Sequence, residues 1–271
     1  MTSHKTITIV GNWKMHLDAA QASSLVNRLH ERIRIHNDIE VVLAPSFLHL
    51  QPLSLQIDRR KFRLAAQNAY HKDEGAFTGE VSFTMLRDLV QYVIIGHSDR
   101  RYKFGETLDD ITAKVCACVR NGMTPILCVG ERQEEKHSGE TKRTIHDQIV
   151  TAVSGLTAPE VAGMIIAYEP VWALSSGTDY GTHAVAAPDE VDAIASWMRG
   201  VIEDLFGKKT ASQVKILYGG SSNAESARSY LDKPNINGLL VGGASLNYED
   251  FAGIVEAADR ALSNETKEED K

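Results

Sequence analysis

The sequence predicts an α/β protein built as a single (β/α)8 barrel with eight parallel strands. Three observations carry this. Eight short, mostly apolar runs recur, at 6–11, 39–44, 63–67, 91–95, 124–129, 163–168, 214–218 and 237–241, as strands covered on both faces do. Segments of helical periodicity separate them. Eight such units in about 250 residues fit a closed barrel. An open doubly wound sheet is the alternative, but Gly11-Asn12-Trp13-Lys14 follows the first run where a Gly-x-Gly-x-x-Gly turn would stand.

In chain order, Met1-Thr2-Ser3-His4-Lys5 leads straight into the first run, Thr6-Ile7-Thr8-Ile9-Val10. No secretory leader is expected there. Ala20 to Ile35 follows as an amphipathic helix with Leu25, Val26, Leu29 and Ile33 on one face. Ile111 to Val119 carries a stripe of Ile111, Val115, Cys118 and Val119, and Val191 to Leu205 one of Ile194, Ala195, Met198, Val201, Ile202 and Leu205. No linker rich in Pro, Gly or Ser divides the chain. Residues 1–262 are therefore expected to form one catalytic barrel domain, and the polar stretch 263–271 a flexible C-terminal tail.

Of the 271 residues, 43% are hydrophobic and 24% charged, enough for a sizeable core and too apolar for global disorder. A net charge of −7 argues against general nucleic-acid binding. No apolar run approaches membrane-spanning length. Cys116, Cys118 and Cys128 make an odd count with no zinc or disulfide spacing, so free thiols in a reducing cytoplasm are expected.

In a barrel of this kind the chemistry sits just past the strand C-termini. Past the first run stand Asn12 and Lys14, a fixed positive charge for an anionic substrate. Past the fourth stands Gly96-His97-Ser98-Asp99. Ser98 and Asp99 suit a helix cap, and the helix end disfavours a protonated imidazole, so His97 can serve as a neutral donor. Past the sixth stands Glu169, stiffened by Pro170 and followed by Val171-Trp172-Ala173-Leu174-Ser175-Ser176-Gly177-Thr178, which suits a closing flap. Past the seventh and eighth stand Gly219-Gly220-Ser221 and Gly242-Gly243-Ala244, where backbone amides can grip phosphate. Each window alone also reads plainly, as a surface lysine, a structural histidine, a turn glutamate or a tight turn. Together they form a phosphate grip, a lysine, a neutral histidine and a shielded carboxylate. That set suits proton abstraction next to a carbonyl. No metal-ligand cluster and no Gly-x-Ser-x-Gly nucleophile occurs.

The motifs resemble those of the triosephosphate isomerase family. In order they are Gly11-Asn12-Trp13-Lys14-Met15, Gly75-Ala76-Phe77-Thr78-Gly79-Glu80, Gly96-His97-Ser98, Cys128-Val129-Gly130-Glu131, Tyr168-Glu169-Pro170-Val171-Trp172-Ala173, Tyr218-Gly219-Gly220-Ser221 and Leu240-Val241-Gly242-Gly243-Ala244-Ser245-Leu246. The resemblance implies a cytoplasmic enzyme of glycolysis and gluconeogenesis that interconverts dihydroxyacetone phosphate and D-glyceraldehyde 3-phosphate. It implies that Glu169 shuttles the proton through an enediolate, His97 polarises the carbonyl as neutral imidazole, Lys14 neutralises charge and Asn12 supports the oxyanion. It implies phosphate held by backbone amides near Ser175, Ser221, Gly242 and Gly243, a closed flap bonded by Tyr218 and Ser221, and no cofactor. It implies a homodimer in which loop 67–80 enters the partner with Thr78 near the partner's site, and a buried Cys128 that is no nucleophile.

Three departures from the family pattern stand out. Asp99 replaces the usual glutamate and is expected to hold Lys14 less well and to lower turnover. Ser175 replaces a flap glycine. Residues 179–187 lengthen the return from the flap to Pro188-Asp189-Glu190, either shifting the flap's equilibrium or forming a neutral excursion. Two rival functions are open on the residues alone: a sister aldose–ketose isomerase for a four-carbon ketose phosphate such as erythrulose phosphate, and a silent barrel kept as a binding module.

Overall fold

The computed structural model describes residues 6–174 and 185–269, and of 264–269 the backbone only. Eight parallel strands close into one barrel in sequence order. They are β1 Ile7–Asn12, β2 Ile39–Ala44, β3 Phe62–Ala66, β4 Tyr92–Ile95, β5 Thr124–Val129, β6 Ile165–Tyr168, β7 Lys215–Tyr218 and β8 Gly238–Val241. Each starts within two residues of its expected position. β8 closes the ring on β1 with Thr8 opposite Gly238 and Gly11 opposite Val241.

Strand side chains alternate between two cores because successive residues point to opposite faces. Ile7, Ile9, Val41, Leu43, Val93, Ile95, Ile166 and Tyr168 pack outward against the helices. Val10, Val42, Ala65, Ile94, Ile126, Cys128, Ala167, Leu217 and Leu240 fill the barrel axis. Polar groups plug the end where the strands begin. Tyr92 Oη donates to Glu40 Oε2 at 2.7 Å, and Lys215 Nζ donates to Thr8 Oγ1 at 3.0 Å.

The helices follow their periodicity with adjusted ends. The first runs Ala19–Arg32 behind a capping box on Asp18 and Gln21. It stops short of the expected Ile35, because the Ile33 N–H closes the last turn on the Leu29 carbonyl and Ile35 faces solvent. The second expected helix spans Leu108–Arg120 and the third Pro188–Phe206. The last, Tyr248–Glu269, continues as backbone helix through most of the stretch expected as a tail. Among the described residues no helix is long and apolar enough to cross a membrane.

One glycine sets the barrel seam. A Cβ on Gly238 would lie 1.8 Å from the Thr8 carbonyl oxygen, so β8 approaches β1 only without a side chain there. Gly238→Ala is expected to cost about 3 kcal/mol, the upper end for overpacking, since backbone and not a side chain must yield. Urea unfolding measures this, and a loss under about 1 kcal/mol would show that the seam relaxes freely.

Candidate active site

The inward rows of the strands lead to the site. Asn12 continues the row of Thr8 and Val10, and Glu169 that of Ile165 and Ala167, so both reach the axis beyond the last apolar layer. There they line a cavity of about 350 Å³ with Lys14, His97, Leu174, Gly219, Gly220, Ser221, Gly242 and Gly243. Seven of the eight expected site residues meet in this one space: Asn12, Lys14, His97, Glu169, Ser221, Gly242 and Gly243. The eighth, Ser175, lies outside the described residues, as do 176–178 of the expected flap and 179–184 of the lengthened return to Pro188.

Glu169 is only 2% exposed. A buried carboxylate needs partners, and both oxygens have one. Oε1 lies 3.1 Å from His97 Nε2, and Oε2 accepts from the Ser98 N–H at 3.1 Å. His97 is itself the N-cap of the Ser98–Lys103 helix, its Nδ1 accepting from the Asp99 N–H at 3.1 Å. This corrects the expectation that Ser98 or Asp99 caps the helix. It also assigns the ring. Nδ1 uses its lone pair on the amide, so the hydrogen sits on Nε2 and points at Glu169.

Glycines let these parts approach. A Cβ on Gly219 would meet Glu169 Cγ at 2.7 Å, and one on Gly130 would lie 1.8 Å from the Glu169 carbonyl oxygen. Around the base, Glu131 Oε1 accepts from Trp172 Nε1 at 2.8 Å and from Tyr168 Oη at 3.2 Å. Burial pushes the Glu131 carboxyl up, and these hydrogen bonds oppose the rise. Cys128 is fully buried under the site. Desolvation, then the neighbouring Glu169 charge, pushes its thiol far above the usual range, so it is no thiolate nucleophile.

Lys14 adopts a left-handed backbone, φ 51°, with its N–H on Asn12 Oδ1 at 3.1 Å and its carbonyl accepting from Gln67 Nε2 at 2.9 Å. Its Nζ reaches Asp99 Oδ2 at 3.1 Å, so the shorter carboxylate does reach the lysine. Asp99 Oδ1 takes a second cation, Lys103 Nζ, at 2.7 Å from one turn along the same helix. Partial burial pushes the Asp99 carboxyl up, but the Lys103 hydrogen bond and the Lys14 charge outweigh it and hold it at about 2.

Some contributors escaped the sequence reading. Gln67 follows Ala65 on an inward row, a parity signal that pointed to it. Ser222 and Asp250 also line the cavity, and Asp250 does so only because of where the last helix starts. The Ser221 amide, expected on phosphate, donates to the Ala173 carbonyl at 3.2 Å, so in this arrangement it ties the β7 loop to the segment after Glu169. Among the described residues no three His, Cys, Asp or Glu side chains gather as a metal site requires.

A family profile described as triosephosphate isomerase matches residues 7–258. The triosephosphate isomerase of Carboxydothermus hydrogenoformans is 41% identical over 251 residues, covering 92% of this chain and 98% of that one. That of Chloroherpeton thalassium is 39% identical over 253 residues, covering 93% and 98%. That of Rhodopirellula baltica is 38% identical over 258 residues, covering 95% and 99%.

The Asp99 pair gives a pH prediction. Its folded pKa is depressed, so its contribution is complete above the unfolded value of about 3.9 and is lost as pH falls through about 2. The shift corresponds to roughly 2 kcal/mol, which screening at the cavity rim cuts to about 1–2 kcal/mol. Between about pH 4 and pH 2 the wild type should lose that much more stability than Asp99→Asn in urea titrations, and parallel curves would refute the pairing.

Proposed function

Because the chain belongs to the triosephosphate isomerase family, we infer that it interconverts dihydroxyacetone phosphate and D-glyceraldehyde 3-phosphate, a step of glycolysis and gluconeogenesis. One observation supports the residue roles most directly: a nearly inaccessible carboxylate within 3.1 Å of a histidine Nε2, beside a lysine, at the top of the barrel.

Glu169 takes a proton from C1 of the ketose. The C–H pair becomes the C1=C2 bond, and the C2 carbonyl oxygen gains the negative charge of an enediolate. His97 Nε2–H donates to that oxygen, and the ring then takes the O1 proton in return. Glu169 gives its proton back at C2, which leaves the aldehyde with no net proton change. A neutral histidine beside a carboxylate base is the established pattern of this family and is carried over from it. The present geometry adds a coupling. Nε2–H and the Ser98 N–H hold both Glu169 oxygens, so a carbonyl that claims Nε2–H releases one side of the base toward the substrate. Lys14 and Asn12 flank the developing charge. Gly242 and Gly243 form the phosphate end of the cavity, where Lys14 Cε passes within 3.8 Å of a Cβ position on Gly242. Ser221 and Ser175 complete the grip when the flap moves.

Residues 1–262 act as the one catalytic domain in this reading. A homodimer accords with an exposed run from Lys72 to Glu80 that includes Phe77 and Thr78. Met15 at 95% exposure follows β1, and Phe47, Leu48 and Met85 stand exposed on the helices that follow β2 and β3. Large exposed apolar side chains on adjacent segments of one rim suit a docking surface. Cys116, Cys118 and Cys128 are all free thiols, which accords with the cytoplasm.

A coupled assay with glyceraldehyde 3-phosphate should show turnover that Glu169→Gln lowers by about 10²–10⁴-fold, the scale of a lost general base. Turnover with erythrulose phosphates alone, or none in a folded protein, would overturn the assignment. Light scattering should give twice the chain mass, falling to one chain mass in Phe77→Asp. A monomeric wild type at micromolar concentration would refute the dimer.

A further inference from the structure

Lys136 joins three segments around the base. It sits on the short Gln133–His137 helix after β5. Its Nζ lies 3.2 Å from the centroid of the Trp172 ring and 2.8 Å from Glu190 Oε1. Trp172 belongs to the Val171–Ala173 turn that directly follows Glu169-Pro170. Glu190 lies in the first turn of the Pro188–Phe206 helix.

The chain on both sides of Glu169 is tied to one side chain. Glu131 accepts from Tyr168 Oη, one residue before the base, and from Trp172 Nε1, three residues after it. The Glu131 carbonyl also accepts from the Val171 N–H at 3.0 Å. The Trp172 ring edge is thus fixed by Glu131, and its face is covered by the Lys136 ammonium. An ammonium over an indole face is attracted by the ring's negative quadrupole, more so when water is partly excluded. Trp172 is 7% exposed and Lys136 only partly so. Glu190 takes the ammonium on its other side, so the cation has a defined place and not a swarm of rotamers.

We propose that Lys136 is a positioning residue for the base: anchored by Glu190 and seated on the Trp172 ring that Glu131 holds by its edge, it keeps Pro170-Val171-Trp172, and with it Glu169, in place beside His97 and Ser98. It touches no substrate and acts through Trp172. A second lysine–tryptophan pair gives an internal control, since Lys142 Nζ stands 5.8 Å from the Trp197 ring and neither residue lines the cavity.

This rests on the isomerase reading of Glu169, so the test carries a readout independent of turnover. Lys136→Met, Lys136→Arg, Glu190→Gln and Lys142→Met are compared for kcat, KM, thermal midpoint and tryptophan emission, the last also in a Trp172→Phe background. Lys136→Met is expected to lower kcat by about 5–20-fold with KM within about twofold, since small misplacements of a reacting group cost up to about a hundredfold per ångström. Lys136→Arg, which keeps the cation, should recover most of the rate, Glu190→Gln should fall between, and Lys142→Met should match wild type. Lys136→Met should change the emission of Trp172, and the change should vanish in Trp172→Phe. Unchanged kcat in Lys136→Met, a loss that arginine does not restore, or an equal loss in Lys142→Met would overturn the proposal. If the wild type turned over no triose, the isomerase reading would fall. The anchor would then be judged by emission, an unshifted Trp172 spectrum in Lys136→Met overturning it and a shifted one supporting it.

Discussion

A closed ring of eight strands leaves room on its axis for every second side chain and no more. That constraint orders the whole molecule. Along β1 it sends Thr8, Val10 and Asn12 inward and Ile7 and Ile9 outward, and along β6 it sends Ile165, Ala167 and Glu169 inward. The inward rows pass from a polar plug of Glu40, Tyr92 and Lys215, through an apolar middle, to polar groups at the open end. Convergence at that end is tight, so β7 continues into Gly219, where a side chain would strike Glu169. The carboxylate is consequently buried, and the His97 and Ser98 hydrogen bonds supply the partners its two oxygens need there.

A second layer keeps those partners in place. Arg101 donates from Nε to the Gly96 carbonyl at 2.7 Å and from Nη2 to the Cys128 carbonyl at 3.0 Å, joining the ends of β4 and β5 beneath His97. Gln148 gives and takes one hydrogen bond with Gly130, at 3.0 and 2.8 Å, which steadies the loop that carries Glu131. Asp99 works differently from a single ion pair. One oxygen faces Lys14 and the other Lys103, so a carboxylate one methylene shorter than the family's usual glutamate is still oriented from two sides.

Much of this was legible in the chain. Strand positions followed from apolar run length, and the positions past each run followed from barrel geometry. Asn12, Lys14, His97, Glu169, Gly242 and Gly243 were expected from that rule, and they line one cavity. Caps were less legible. Ser98 and Asp99 have the right side chains for a cap, but the imidazole of His97 holds that place because the preceding strand aims it back over the first turn. The bond from the Ser221 amide to the Ala173 carbonyl was not legible either, because Ala173 is distant in sequence and arrives only when β6 and β7 pair. Gln67 was readable by parity. Asp250 was not, since a helix's starting point against the barrel depends on packing with Phe251 and its neighbours.

The sequence by itself determined the period of two in the strands, the 3.6-residue stripes of the helices, the glycines at the loop mouths and the order of the chemical groups. These are local consequences of residue type, which need no distant contact to be expressed. Only the tertiary structure decided which groups share a hydrogen. The two-sided hold on Glu169, the reach of Lys14 to Asp99 and the meeting of Lys136, Trp172 and Glu190 each join residues from different strands, helices or turns. Distances of this kind are set when the ring closes and the helices dock, because only then do residues dozens of positions apart compete for the same lone pair or ring face.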